Sequence, residues 1–439
     1  MEQKNSEILE YIRENHVKFI RLGFSDPFGT QKKLSVMPDE LAYAVENGIP
    51  FDTAAIRGLG DETGSDMFLH PDMDTFTMIP WRTEPGKVGM CYCDIRSADR
   101  TPFTRDSRYI LRNVIRQGED MGFTAKIGTE CEFYLFKLGE NGEPMADPVD
   151  RGSYLDVSPM DKGEFIRRDI CLMLEEMGIK PESSYHEQGP GQNKINFQFS
   201  DPLRSADNFM TFKVVVKAVC SSSKIFASFM PKPISYTNPN SLVVNLSLYQ
   251  NQENLFRNII EGQPSPATGF LAGVMQRLPE ITLFLNPIAN SYERFGKTEL
   301  LRYVSWSRRS RCHTMRIPSD RGEKTCLELH SPDPSLNPYL AFALLLASGF
   351  EGIEKGLESP ASVEWKSSPF DRSLAKKCTT IPENMESAIR MAENSDLVRR
   401  VLGDSVVENY VAIKREEADA YTAAVDKDRF YRERYLGIV

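Results

Sequence analysis

Carboxylates recur at strand spacing along this chain. Glu130 and Glu132 stand two apart in TECEFYLF, and Cys326, Glu328 and His330 alternate with Leu327 and Leu329. A strand's period of two puts each set on one face. By the same rule Val243, Asn245 and Ser247 share a face. The stretch HEQGPGQNKINF, 186–197, adds Glu187, turns through Gly-Pro-Gly and leaves as an alternating run. That run places Lys194, Asn196 and Gln198 on one face and Ile195, Phe197 and Phe199 on the other. Each segment alone reads first as an amphipathic strand with a wet polar side. Together they form a cluster of like charges, which needs Mg²⁺ or Mn²⁺ held by oxygen ligands, or a Lys or Arg. A second cluster, YVSWSRRSRCHTMRIP (303–318), carries Arg311 and Arg316. Their guanidinium forks match phosphate or carboxylate oxygens, although a plain solvated basic edge has the same composition. Metal-holding carboxylates beside anion-holding arginines are the equipment of phosphoryl transfer. No GxxxxGKS/T is present, so any nucleotide binds without a P-loop.

The elements that must position these groups alternate along the chain. A helix is expected at 6–15, strands over 18–26 and 29–36, then a glycine-spaced stretch with few periodic elements, then strands at 78–82 and 88–95. ADRTPFTRD marks a boundary near 100–106. Beyond it come a helix at 107–122, a strand at 125–136 and a Gly/Pro/Asp loop at 139–152. Helices at 162–177, 205–222, 266–277 and 336–355 alternate with strands at 193–199, 225–230, 242–248 and 325–330. The last eighty residues are mostly helical, with the run 382–403 ending at Gly403. The pattern is α+β, without repeats or low-complexity tracts.

The chain has 439 residues, 41% hydrophobic and 26% charged, with a formal net charge of −9. That balance describes a globular protein and argues against nucleic acid, pointing instead to small anionic ligands. The longest apolar run, AFALLLASGF, is half the length of a membrane span, and no signal-peptide core is present. Eight scattered cysteines suit a reducing cytoplasm. Cys91 and Cys93 read as two thiols on one strand face rather than half a metal site.

The same motifs resemble type I glutamine synthetase. They are TECEFYLF, SYHEQGPGQNKINF, ADNFMTFKVVVK, FASFMPKPI, NPIANSYERF, SWSRRSR and LELHSPDPSLNPYLAFALLLASGFEGI, with GIPFDTAAIRGL and SDMFLHPDMDTF nearer the start. The resemblance implies a small β-grasp domain, 1–103, followed by a catalytic domain, 104–439, built on a curved antiparallel sheet. It also implies a homo-oligomer of two stacked hexameric rings, with active sites between neighbours. The implied reaction is ATP-dependent phosphorylation of the glutamate γ-carboxylate and displacement of phosphate by ammonia, organised by two Mg²⁺ or Mn²⁺ ions. Glu130, Glu132, Glu187 and Glu328 fall on metal-ligand positions. Asp52, Asp66 and Tyr154 match the ammonium pocket, with Asp52 as the base, and Glu299 matches the loop glutamate that closes the site. Arg294 matches a glutamate-binding arginine, Arg311 and Arg316 a phosphate-handling pair, and Phe199 and Ser247 nucleotide contacts.

The departures from the family pattern are specific. Lys194 stands where a third glutamate holds the first metal, and Val243 where a histidine holds the second. Asn245 replaces another histidine beside the nucleotide. Cys326 and His330 replace arginines, one near ATP and one in the glutamate clamp, and Pro239 replaces a glycine. Two expectations compete for Lys194: it substitutes for the first metal among Glu132 and Glu187, or it swings to solvent and leaves the metal fewer ligands. Three functional readings follow. One is a slow or altered ligase, one a ring-forming paralogue impaired in catalysis, and one a γ-glutamyl ligase for a larger amine.

Overall fold

The computed structural model describes residues 2–60, 64–82, 86–295, 302–319, 322–363 and 378–439. Near the amino terminus a six-stranded sheet runs in the order Gln31–Val36, Phe19–Ser25, Val88–Arg96, Met67–Pro71, Ile49–Phe51, with Thr77–Met78 also on Val88–Arg96. Phe19–Ser25 and Val88–Arg96 are parallel, the other pairs antiparallel. Cys91 and Cys93 point into its core with Ile20, Leu22 and Leu69, and burial pushes the Cys93 thiol up. The glycine-spaced stretch, 48–72, holds two paired strands that its sequence does not show, and the unexpected helix Leu41–Asn47 precedes it. Gly48, at φ 76°, ends that helix. The strand expected at 78–82 shrinks to Thr77–Met78, because Pro80 has no N–H to give a ladder.

The second sheet has ten strands. Its path runs Trp306–Ser307, Met315–Arg316, Leu327–Leu329, Leu242–Gln250, Thr124–Leu138, Gln192–Phe197, Pro181–His186. Only the first of these pairs is parallel. The fifteen-residue strand Thr124–Leu138 is its spine. Its odd-numbered side chains go to the helical layer, where the Phe133 ring lies 6.0 Å from Phe212 and 5.7 Å from Phe229. Its even-numbered side chains are left for the opposite face. Pro144–Pro148, inside the loop expected at 139–152, adds another strand to this spine.

The helices behind the sheet share a start signal. Asp201-Pro202, Ser265-Pro266 and Asn337-Pro338 each give a capping side chain followed by a proline already set to the helical φ. Pro266–Leu285 continues through Pro279, past the expected end at 277. It packs closely on Pro338–Glu354. A Cβ on Gly273 would stand 2.1 Å from the Ser348 carbonyl oxygen and 2.8 Å from the Gly352 Cα, so no larger residue fits this crossing.

Two polar devices fasten the first sheet region to the helical layer. Arg108, at the start of the helix Ser107–Asp120, is buried between Asp72 and Asp94 of the first sheet region and Asp207 of the helix Pro202–Ser222. Asn337 caps its own helix through Oδ1 while its amide donates to the Asp26 carbonyl at 3.0 Å. No helix among the described residues is long and apolar enough to cross a membrane.

Candidate active site

Strand register gathers the predicted residues on one face of the large sheet. Lys194 lies opposite Glu132, and Asn196 opposite Glu130. On the other side of the spine Val243 faces Glu130 and Asn245 faces Gly128. Asn245 in turn pairs with Glu328, and Glu328 with Arg316. Glu187 arrives from the turn between Pro181–His186 and Gln192–Phe197. Asp150 braces that turn, accepting from Gly191 N at 2.7 Å and meeting His186 Nε2 at 3.1 Å. Asp161 converges there as well, but Arg167 occupies it at 2.5 Å, so this buried group is structural.

Lys194 is buried, 6% exposed. Its Nζ lies 3.0 Å from Glu130 Oε2, 3.7 Å from Glu132 Oε1 and 3.9 Å from Glu187 Oε1. The side chain does not turn to solvent. Burial alone would lower the lysine's pKa, but the charges of Glu132 and Glu130 outweigh it and hold the ammonium above its ordinary value. Burial raises Glu130, whereas the Lys194 charge and the hydrogen bonds from Lys194 and Asn245 bring it below the usual carboxylate value. One ammonium cannot neutralise three carboxylates. Glu187, the most distant, is pushed up to about 7, first by burial and then by the Glu132 charge. Glu132 is further held by Ser241 N at 2.8 Å and by the Gln192 amide at 3.3 Å.

The residues present do not fit two divalent ions. A cation in the first metal's place would stand against the Lys194 ammonium. In the second place Val243 has no donor atom, and Asn245 gives its amide N–H to Glu130 Oε1 at 3.2 Å. Glu328 already meets Arg316 at 3.3 Å and His330 Nε2 at 3.4 Å.

The other candidates are spread more widely. Phe199 is half-buried against Gly128, where a Cβ would stand 3.1 Å from its ring. Gly128 alternates with Glu130 and Glu132, so Phe199 lies on the carboxylate face, opposite to the expectation from simple alternation. The cause is the register shift between Asn196 and Phe197. Ser247 is buried, its hydroxyl on the Thr325 carbonyl at 3.4 Å. Arg294, 2% exposed, donates to the Ser331 carbonyl at 2.8 Å and lies 3.8 Å from Asp333. Asp52, Asp66 and Arg311 are exposed. Tyr154 is 47% exposed and meets Tyr185 edge-on at 5.8 Å. Glu299 lies outside the described residues. Sequence reasoning passed over Gln192, Asp150 and Tyr185. Gln192 was within reach, two residues before Lys194 on the same strand face, while Tyr185 emerges only from strand pairing, opposite Lys194.

The chain is similar to known proteins over nearly its whole length. The family model "Glutamine synthetase, beta-Grasp domain" matches residues 16–98, and "Glutamine synthetase, catalytic domain" matches 104–433. A glutamine synthetase of Clostridium saccharobutylicum is 40% identical over 424 residues, 95% of this chain and 96% of the relative. One from Methanosarcina mazei is 38% identical over 426 residues, covering 95% of each chain. A solved structure described as "Apo GmaS without ligand" superposes with a TM-score of 0.85 at 27% identity, covering 96% of this chain and 98% of that one.

Proposed function

The chain belongs to the glutamine synthetase family and is an enzyme of the glutamate–ammonia ligase type, and we propose that it joins ammonia to the γ-carboxylate of glutamate at a reduced rate. The observation that carries this reading is the single sheet face on which Glu130, Glu132, Glu187 and Glu328 stand together beside Arg316. ATP is the phosphoryl donor, the γ-carboxylate the acceptor, and ammonia displaces phosphate from the resulting acyl phosphate. Arg316 and Arg311 hold phosphate oxygens, Phe199 and Ser247 flank the nucleotide, and Asp52 takes the proton from ammonium next to Asp66 and Tyr154. Arg294 and His330 form what is left of the glutamate clamp. The domain division falls between 103 and 104, in keeping with two sheets that share no strand. Eight free cysteines accord with a cytoplasmic setting.

Reduced rate follows from charge. Phosphoryl transfer needs cations where negative charge develops, and a lysine offers no open coordination position with which to polarise a phosphoryl oxygen. That same observation favours a second reading, a paralogue retained for assembly rather than turnover. The test is phosphate release from ATP with glutamate and ammonium, run beside a calorimetric Mn²⁺ titration. Slow release that requires all three substrates supports the ligase. No release at any Mn²⁺ concentration assigns the second reading, and release driven by a larger primary amine but not by ammonium assigns a γ-glutamyl ligase for that amine.

A further inference from the structure

We infer that Lys194 is a fixed internal counter-cation serving both metal places at once, so that the cleft forms around an ammonium and needs no divalent ion. This rests on the family reading of the cleft, but not on turnover. Had the lysine merely replaced the first metal, its ammonium would centre on Glu132 and Glu187. Instead its shortest contact, 3.0 Å, is to Glu130, the carboxylate directly across the ladder from Val243. The backbone of Lys194 is in register with Glu132, so the side chain leans diagonally along the spine toward Glu130, a reach that a long side chain can span. The ammonium therefore lies between the place marked by Glu132 and Glu187 and the place marked by Glu130 and Val243.

The surroundings suit a permanent cation. Lys194 is 6% exposed, and Glu130, Glu132 and Glu187 present oxygens within 4.0 Å of its Nζ. A lysine displaced by an arriving metal ion would leave its positive charge in a buried cleft, beside the new ion and with fewer oxygens to face. Loss of the second-site donor agrees with this. Once the ammonium occupies Glu130, a histidine at position 243 has no ion to bind, and Val243 lies buried there.

Thermal melting and calorimetric Mn²⁺ titration of the full-length protein, Lys194→Met and Lys194→Glu test the inference. Wild type is expected to melt at the same temperature in chelator and in Mn²⁺, and to take up no ion in the cleft. Both variants should melt lower in chelator, because carboxylates are left without a counter-charge. Mn²⁺ should restore Lys194→Glu and bind it about a hundredfold more tightly than wild type, since repulsion becomes coordination. One or two ions per subunit bound by wild type with a rise in melting temperature would overturn the inference, as would variants that match wild type in chelator. If neither variant folds, the wild-type titration decides by itself. A ligase reading that failed in the turnover assay would leave these outcomes unchanged.

Discussion

Asn245 shows how much a single donor matters in this cleft. Its amide nitrogen is committed to Glu130 at 3.2 Å, while its Oδ1 is buried with no hydrogen-bond partner. An unsatisfied buried acceptor is costly, so the polar ring around Glu130 is incomplete on the Val243 side. Supplying the missing donors should restore metal chemistry. The double change Lys194→Glu with Val243→His is expected to raise ATP-dependent phosphate release about tenfold or more in Mn²⁺, measured against each single change, because a metal ion can then polarise the phosphoryl oxygen. Equal rates in all four proteins would show that Cys326 and His330 set the limit. At this scale the sequence was informative where chemistry follows strand alternation. Spacing put Glu130 with Glu132, and Glu328 with His330, each pair on one face of its strand, and strand pairing brought these faces and Lys194 together. Spacing put Phe199 on the wrong face, because the bulge at Asn196 and Phe197 depends on the partner strand, which no local pattern records.

At the scale of elements, a buried cation and a half-buried one carry different weights. Arg108 donates to Asp207 through Nε and Nη2 at 3.2 and 3.0 Å and to Asp72 at 2.7 Å, tying the first sheet region and the helix Pro202–Ser222 to one helix start. Removing one partner of a buried charged group leaves the others uncompensated, so Arg108→Met should destabilise by about 3–5 kcal/mol. Chemical denaturation would show it as a lower midpoint. Lys213, in the helix Pro202–Ser222, has the opposite problem. Its ammonium reaches the Pro334 carbonyl at 3.0 Å and the faces of Phe209 and Phe229, and burial, followed by the Lys217 charge, lowers its pKa to about 7. The folded state therefore holds fewer protons than the unfolded chain between pH 7 and the lysine's ordinary value of 10.5. Stability from this group rises with pH across that window, by about 1.4 kcal/mol for each pH step of one. Lys213→Met should flatten the rise in a melting series from pH 7 to 10, and an unchanged slope would remove Lys213 as its source. Amphipathic and capped elements such as Ser107–Asp120 and Pro202–Ser222 were legible from pattern and caps. Met67–Pro71 was not, since it is a strand only because a distant neighbour pairs with it, and Pro144–Pro148 was hidden by the prolines at its two ends although it folds back on the strand just before it.

Over the whole molecule, several exposed apolar side chains among the described residues concentrate in two regions of the chain. Tyr154, Leu155, Val157, Met160 and Phe165 are 47–73% exposed in one short stretch of the large domain. Tyr11, Phe19, Met37 and Tyr43 are 40–57% exposed on the small domain. Apolar patches of this kind mark protein contacts. A contact that joins two different surfaces is heterologous, and repeating it with a rotation that closes gives a ring. Asp52 and Asp66 fit this arrangement, because they lie exposed on the small domain, where a neighbour's large domain beside Tyr154 would bring them to a carboxylate cleft. The expected assembly is a ring-shaped homo-oligomer, twelve subunits in two stacked rings. Sedimentation velocity at micromolar subunit concentration should show one large species, and Val157→Asp with Phe165→Asp should shift it toward smaller ones while Lys194 variants do not. A stable monomer for the wild-type chain would rule the ring out, and with it the placing of Asp52 and Asp66 at a neighbour's site.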